Sequence, residues 1–244
     1  MARFTSVNGF VGLGFETTTG TPVTPTQFLP IISAEIGDTV EHLRAATTIR
    51  VGGFTVTRPQ TGKKVVTPKM SGPLLYNLIG ALYRGMDATV ATTGSGTFTH
   101  VFSPGTSQGF TFELAVSGAI ADSRKANGAV MTELVLNFPR DGICTFDASY
   151  GAFNVAAPAT KTSIAYPTLN EIGGSDCTTM SLGSTVLKNH AGDVKITITN
   201  PVKEGRGCTR VGGEMIVSEW VDGASREMKI EFPLEMDTAS WNDF

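Results

Sequence analysis

From residue 97 onward, apolar and polar side chains alternate with a period of two. Phe110, Phe112, Leu114 and Val116 alternate with Thr111, Glu113, Ala115 and Ser117. Cys144, Phe146, Ala148 and Tyr150 are separated by Thr145, Asp147 and Ser149. Val194, Ile196 and Ile198 enclose Lys195 and Thr197, and Met228, Ile230, Phe232, Leu234 and Met236 alternate with Lys229, Glu231, Pro233 and Glu235. Successive side chains of a strand point to opposite sheet faces. Each run therefore predicts a strand with one buried face and one face that is solvated or lies at an interface.

A different period occurs once. Leu74, Leu75, Leu78, Ile79 and Leu82 fall on one face at helical spacing, with Ser71 placed to cap, Pro73 suited to a first turn and Gly85 to a stop. This predicts one α-helix over about 72–84 whose apolar stripe joins the core. Residues 1–28 are rich in Gly, Thr and Pro and predict an extended arm. Leu29 to Ile36, Phe54 to Thr57 and Lys64 to Thr67 are short β-like runs, and the polar stretch 37–62 is punctuated by Gly52, Gly53 and Gly62. Residues 152–184, with Pro158, Pro167, Gly173 and Gly174, predict a surface insertion too short to be a domain. The chain thus reads as a single domain, 1–244, mainly β with one helix and long extended loops.

Shifted by 84 residues, the chain matches itself without a gap. Phe112 and Leu114 fall on Ile196 and Ile198, Gly128 on Gly212, Met131 on Met215, and Cys144 to Tyr150 on Met228 to Leu234. Either two β-meanders happen to align, or the chain contains a structural duplication, which gap-free agreement over three strands favours.

Composition changes this picture in one respect. Hydrophobic residues make up 41%, enough for a core, but charged residues only 17%, against roughly 25% in an average soluble domain. Two readings stay open: surface buried against other copies, or a β protein that uses hydroxyls in place of charge. The net charge of −3 gives no basic face for phosphate binding. Three cysteines, Cys144, Cys177 and Cys208, have no C-x-x-C spacing and leave at least one unpaired, which fits a reducing compartment. Met1 to Ser6 lack the apolar run of a signal peptide, and no run approaches the ~20 residues of a membrane-spanning helix.

Catalytic motifs fail on context. Gly105 to Gly109 matches G-x-S-x-G around Ser107, but a strand-like run follows where a nucleophile elbow needs a helix, so the motif reads as a hairpin turn. His42, His100 and His190 are scattered, and no spacing suits zinc. Gly12 and Gly14 lack the third glycine of a dinucleotide site. Glu113 and Glu133 could face each other as an acid–base pair, though solvated strand faces carry such residues routinely. No catalytic residue, cofactor or metal is expected, and the chain reads as a non-enzyme.

Low charge, alternating strands and the lack of a site all favour a structural protein, and three stretches carry a resemblance. GTPVTPTQFLPIISAEIGDTVEHLRAATTIRVGG is similar to the N-terminal region of siphophage tail tube proteins. TFTHVFSPGTSQGFTFELAVSGAIADSRKANGAVMTELVLNFPRDGICTFDASYGAF resembles their central region, and DVKITITNPVKEGRG with GGEMIVSEWVDG resembles their second half. The resemblance rests on pattern and order over most of the chain, with 152–184 covered least. It implies an antiparallel β-sandwich or barrel with one flanking helix. It further implies hexameric rings whose inner sheets join into a barrel, stacked into a tube that genomic DNA traverses without specific binding. Implied partners are other copies of the chain, a tape-measure protein, and terminator and tail-tip proteins, with no membrane binding. The implied location is the virion tail, assembled in the host cytoplasm. A tail-tip or capsid-decoration protein, or a secretion-system tube subunit, is the alternative.

The stretch 37–62 is then a candidate stacking loop. It cannot enter its own core without stranding backbone groups and charges. It is either a solvated loop or a contact with the neighbouring ring. Asp38, Glu41, His42, Arg44, Arg50 and Arg58 are the candidate inter-ring residues, and the resemblance supports the second reading.

Overall fold

The computed structural model describes residues 9–43, 60–86, 88–95, 99–104, 109–115, 122–156, 159–166, 168, 170–174, 180–182, 185–187, 193–204, 208–211, 214–217, 220–222 and 225–233. In chain order the first elements are β1 Phe10–Phe15, β2 Gln27–Leu29, β3 Ser33–Leu43, β4 Gln60–Pro73, α1 Ile79–Gly85, β5 Ala88–Thr93 and β6 Thr99–Pro104. The central elements are β7 Phe110–Ala115, β8 Asp122–Phe138, β9 Thr145–Gly151, β10 Asn154–Val155, β11 Ala159–Thr160, β12 Met180–Leu182 and β13 Thr185–Leu187. The last are β14 Val194–Thr199, β15 Val202–Glu204, β16 Cys208–Val211, β17 Glu214–Val217, β18 Trp220–Asp222 and β19 Glu227–Glu231.

The fold is mainly β, as the alternation predicts, and its organiser is β8. The N-terminal half of β8 pairs with β7 on one side and with β10 and β11 on the other. Its C-terminal half pairs with β14 and β9. One strand thus runs from one half of a sandwich into the other, which is how sandwiches make corners. Gly128 stands at the corner with φ of +61°, a left-handed conformation that costs little only for glycine. A Cβ there would also run into the Phe153 ring.

The first half-sheet runs β2-β1-β7-β8, and the second runs β3-β4-β9-β8-β14-β19 with these neighbours antiparallel, while β17 with its partner β16 adds a short parallel contact to β4 at Lys63 and Lys64. Their facing sides form one core. Val11, Leu13, Phe110 and Phe112 come from the first half, and Met70, Leu134, Leu136, Phe146 and Ala148 from the second. Tyr150 joins them, its ring 5.5 Å from Phe112 and 6.3 Å from Phe110. At roughly 1.5–3 kcal/mol for each large apolar side chain buried, this layer is the main source of stability.

The helix is shorter than its apolar spacing predicts. Gly72 and Pro73 pair with Phe146 and Thr145 of β9, and the Leu74 N–H donates to the Cys144 carbonyl at 2.8 Å. Sheet pairing thus claims the backbone that a helix starting at 72 needs. Ser71 meets the Ser33 hydroxyl across the strands at 2.8 Å instead of capping. The helix begins at Ile79 and ends at Gly85, where a Cβ would come within 2.9 Å of Met131 Cε.

Three other expectations change. The stretch expected as an arm contains β1, a core strand whose Val11 and Leu13 are fully buried. Its outer face is glycine because Val23 and Pro25 cross it: a Cβ on Gly14 would lie 2.8 Å from Val23, and one on Gly12 2.8 Å from Pro25. The 37–62 stretch begins and ends as strand, since β3 and β4 pair from Ser33↔Ser71 to Leu43↔Gln60. Finally, among the described strands β6 pairs with β5 while β7 pairs with β1 and β8, so these two strands do not form a hairpin with each other. Ser107 itself lies outside the described residues.

The 84-residue offset holds for strand position and fails for pairing. It maps β7 onto β14 residue for residue. Yet β7 is separated from β9 by β8, whereas β14 pairs directly with β19.

Candidate functional site: a bare sheet face with an open edge

The outer face of the second half-sheet follows from register. Glu35, Lys69, Ser149, Glu133, Thr199 and Glu227 form one row across the strands. Ser33, Ser71, Asp147, Val135, Thr197 and Lys229 form the next. Val135 apart, these side chains are exposed or half-buried. Short hydroxyls and mixed charges dominate, and a shallow depression lies over Ser33, Glu35, Lys69, Ser71, Asp147 and Ser149. Asn137 donates to Asp147 Oδ2 at 3.1 Å, and Lys229 reaches Glu231 at 2.6 Å, so part of the charge is paired within the face.

The inner rows of the same half-sheet do not stop at the core. Ile198 is buried beside Leu134, and its partner on β19 is Met228; Ile196 pairs Leu136 on one side and Ile230 on the other. Met228 is 61% exposed and Ile230 47%. The alternation of β19 is thus the expected one, but its apolar side is left exposed, with no cover among the described residues. Beyond β14, β19 has no partner among the described strands, and among these its second edge is open. An open edge beside exposed apolar side chains is the combination that favours pairing with another chain. At the other side of the half-sheet, β3 pairs only with β4 among the described strands.

The first half-sheet is built in the opposite way. Its outer face is covered and carries two buried carboxylates. Glu16 accepts from the Gly20 N–H at 2.6 Å, the Thr111 hydroxyl at 2.9 Å and the Gly128 N–H at 3.0 Å, tying the end of β1 to the corner of β8. Glu113 accepts from the Thr162 hydroxyl at 2.6 Å and the Thr162 N–H at 2.9 Å, with Lys125 Nζ at 3.3 Å. Burial alone would raise the Glu113 pKa. Hydrogen bonds from the Thr162 and Ser123 side chains and the Thr162 backbone, then the Lys125 charge, outweigh it and hold the carboxyl below its ordinary value. Glu113 is therefore not on a solvated strand face, and it does not meet Glu133: its partner in register is Lys125, whereas Glu133 pairs Ser149 and Thr199. Tyr150 is the remaining buried polar group. Its hydroxyl has no hydrogen-bond partner among the described residues, and burial pushes its pKa up.

The candidate inter-ring residues are only partly placed. Asp38 sits in β3 and forms an ion pair at 3.3 Å with Arg124, which also donates to the Ile36 carbonyl at 3.2 Å. Asp38 is thus engaged within the subunit, clamping β3 to the first half-sheet. Glu41 and His42 lie in β3 at an irregularity in its pairing with β4. Arg44, Arg50 and Arg58 lie outside the described residues. No signal in the sequence alone joins Asp38 to Arg124 or Glu113 to Thr162.

The fold and this surface define a structural protein whose distinguishing feature is a sheet face and an open edge. A family model described as phage tail tube protein matches residues 6–239 of the 244. The chain belongs to that family and is a structural tail tube protein. No curated protein matches it.

Proposed function

We propose that copies of this chain close into rings, hexameric by the family resemblance, that stack into the phage tail tube and carry genomic DNA. The observation that supports this is the apolar side of β19 lying bare at an open sheet edge. The second half-sheet has two such edges, β19 and β3. With six alternating strands they run in opposite directions, so β19 of one copy meets β3 of the next in antiparallel pairing. The contact is head-to-tail and closes by rotation. It continues the sheet around a barrel and covers Met228 and Ile230.

The bare polar face then lines the lumen. Its carboxylates Glu35, Glu133, Asp147, Glu227 and Glu231 outnumber Lys69, Lys195 and Lys229. Such a surface repels phosphate weakly and lets DNA slide, because counterion-releasing basic contacts are too few to hold it. A tape-measure protein occupies the lumen during assembly in the host cytoplasm, and terminator and tail-tip proteins close the ends.

The test is the double variant Met228→Asp, Ile230→Asp, purified and imaged beside the unaltered chain. The expected outcome is folded subunits with unchanged β circular dichroism that sediment as monomers and form no rings. Rings of normal diameter from this variant would overturn the proposal.

A further inference from the structure

We infer that residues 159–166 form a hinged strap, held on the covered half-sheet by the Glu113 carboxylate and released in acid while the sandwich beneath stays folded. The device is independent of ring closure, because the covered half-sheet supplies neither β3 nor β19 to the proposed joint.

The strap has a firm root on each side. Before it, the Phe153 N–H donates to the Asn127 carbonyl at 3.0 Å and the Ala156 N–H to the Lys125 carbonyl at 2.7 Å. Beyond it, the Asn77 side-chain amide donates to the Thr168 carbonyl at 2.7 Å and the Tyr76 N–H to the Asn170 carbonyl at 3.0 Å. Ile172 is buried, with its N–H donating to Leu74 and its carbonyl accepting from Cys144. Between these roots the hold is thin. Ala159 and Thr160 pair with Ser123 and Asp122, and Thr160, Lys161, Ser163, Ile164, Ala165 and Tyr166 are exposed. Thr162 is the exception, and it sits on Glu113.

The Thr162 N–H donates to Glu113 Oε1 at 2.9 Å, and its hydroxyl donates to Oε2 at 2.6 Å. Lys125 Nζ stands 3.3 Å from the same Oε2 and 3.4 Å from the Thr162 hydroxyl oxygen, so it bridges sheet and strap. The Ser123 hydroxyl is a further donor. The carboxylate is fully buried, and its register partner on β1 is Gly12, crossed by the uncharged Pro25. Glu16, on the same sheet face, is taken up by Gly20, Thr111 and Gly128. Lys125 is thus the charged group that faces Glu113 among the described residues.

Every group around this carboxylate is a donor and needs an ionised acceptor. A proton on either oxygen displaces one donor and leaves Lys125 facing a neutral group. Burial favours that proton; the hydrogen bonds from Thr162 and Ser123, then the Lys125 charge, oppose it and prevail. The bonds that hold the carboxyl below its ordinary value are therefore the bonds that hold the strap. The latch is complete above the ordinary carboxylate range and is lost as pH falls through the lowered folded value. Release leaves the roots at Ala156 and Ile172 in place, uncovers Glu113 on β7 and frees the β8 edge at Asp122 and Ser123.

Amide hydrogen exchange on the full-length chain, corrected for the intrinsic effect of pH, tests this. Between neutral pH and about pH 3 the Thr162 amide is expected to lose protection at least about tenfold, while Leu134 and Leu136 in β8 keep theirs. Protection at Thr162 that persists in acid, or that falls only together with Leu134 and Leu136, would sink the inference. Glu113→Gln is expected to show the released strap already at neutral pH. Its Thr162 protection no longer depends on pH, and trypsin cuts after the exposed Lys161 at least about tenfold faster than in the unaltered chain. Unchanged cleavage at Lys161 in the folded variant would equally refute the latch. The acid series requires no substitution, so it decides the matter should Glu113→Gln fail to fold.

Discussion

The two half-sheets share β8 yet handle their outer faces in opposite ways. In the first, Val23 and Pro25 cross β1, and Thr162 lies over β7, so even Glu16 and Glu113 are buried. In the second, two rows of hydroxyl and charged side chains face outward with nothing over them among the described residues, and the apolar row ends in exposed side chains on β19. The first half is completed by its own chain. The second is the half that the proposed ring would complete. What differs is not strand composition but whether a later segment returns to lie across the sheet.

The largest effect is expected where the halves join. Gly128→Val combines a left-handed backbone that a β-branched residue resists with overlap on the Phe153 ring. We expect a loss of about 3–5 kcal/mol, or about 10 °C in Tm for a domain of this size, read by thermal unfolding. An unchanged Tm would mean that the corner is not where one strand is made to serve two sheets.

An intermediate effect is expected in the covered half. Glu113→Gln gives up charge-assisted hydrogen bonds and leaves Lys125 facing a neutral group, a loss of about 2 kcal/mol at neutral pH. The pH dependence has a definite sign. The folded carboxyl is held below its ordinary value, so its contribution is complete above the ordinary carboxylate range and disappears as pH falls through the lowered folded value. Denaturant midpoints for the unaltered chain and the variant should therefore converge in acid; parallel curves would refute the role of the charge.

The smallest effect is expected on the bare face. Asp147→Asn removes a charge from an exposed row and should change subunit stability by no more than about 0.5 kcal/mol. A loss comparable to that of Glu113→Gln would erase the contrast between the halves.

The sequence discloses these regions unequally, for physical reasons. Alternation in Phe110 to Ala115 and Cys144 to Tyr150 correctly separates the core side from the other side, because a strand's period is local. Whether the other side is wet depends on segments far along the chain, which is why Glu113 reads as solvated and is buried. The opposite error affects Met228 and Ile230, which have the pattern of a core and no core over them. Residues 72–73 read as helix because propensity is local, while the pairing to β9 that claims them comes from some 70 residues later. In β1, Gly12 and Gly14 hide the alternation, since the crossing of Val23 and Pro25 leaves no room for a side chain. Asp38 was legible as a charged residue in a polar stretch, but its partner Arg124 was not.

The even number of strands in the second half-sheet has a consequence for descent. In the ring proposed above, a lineage that gained or lost a single strand at either edge would leave two edges pointing the same way, and antiparallel joining of copies would fail at once. A hairpin added or removed preserves the direction of both edges. If copies join as proposed, change in the width of this sheet is confined to steps of two strands.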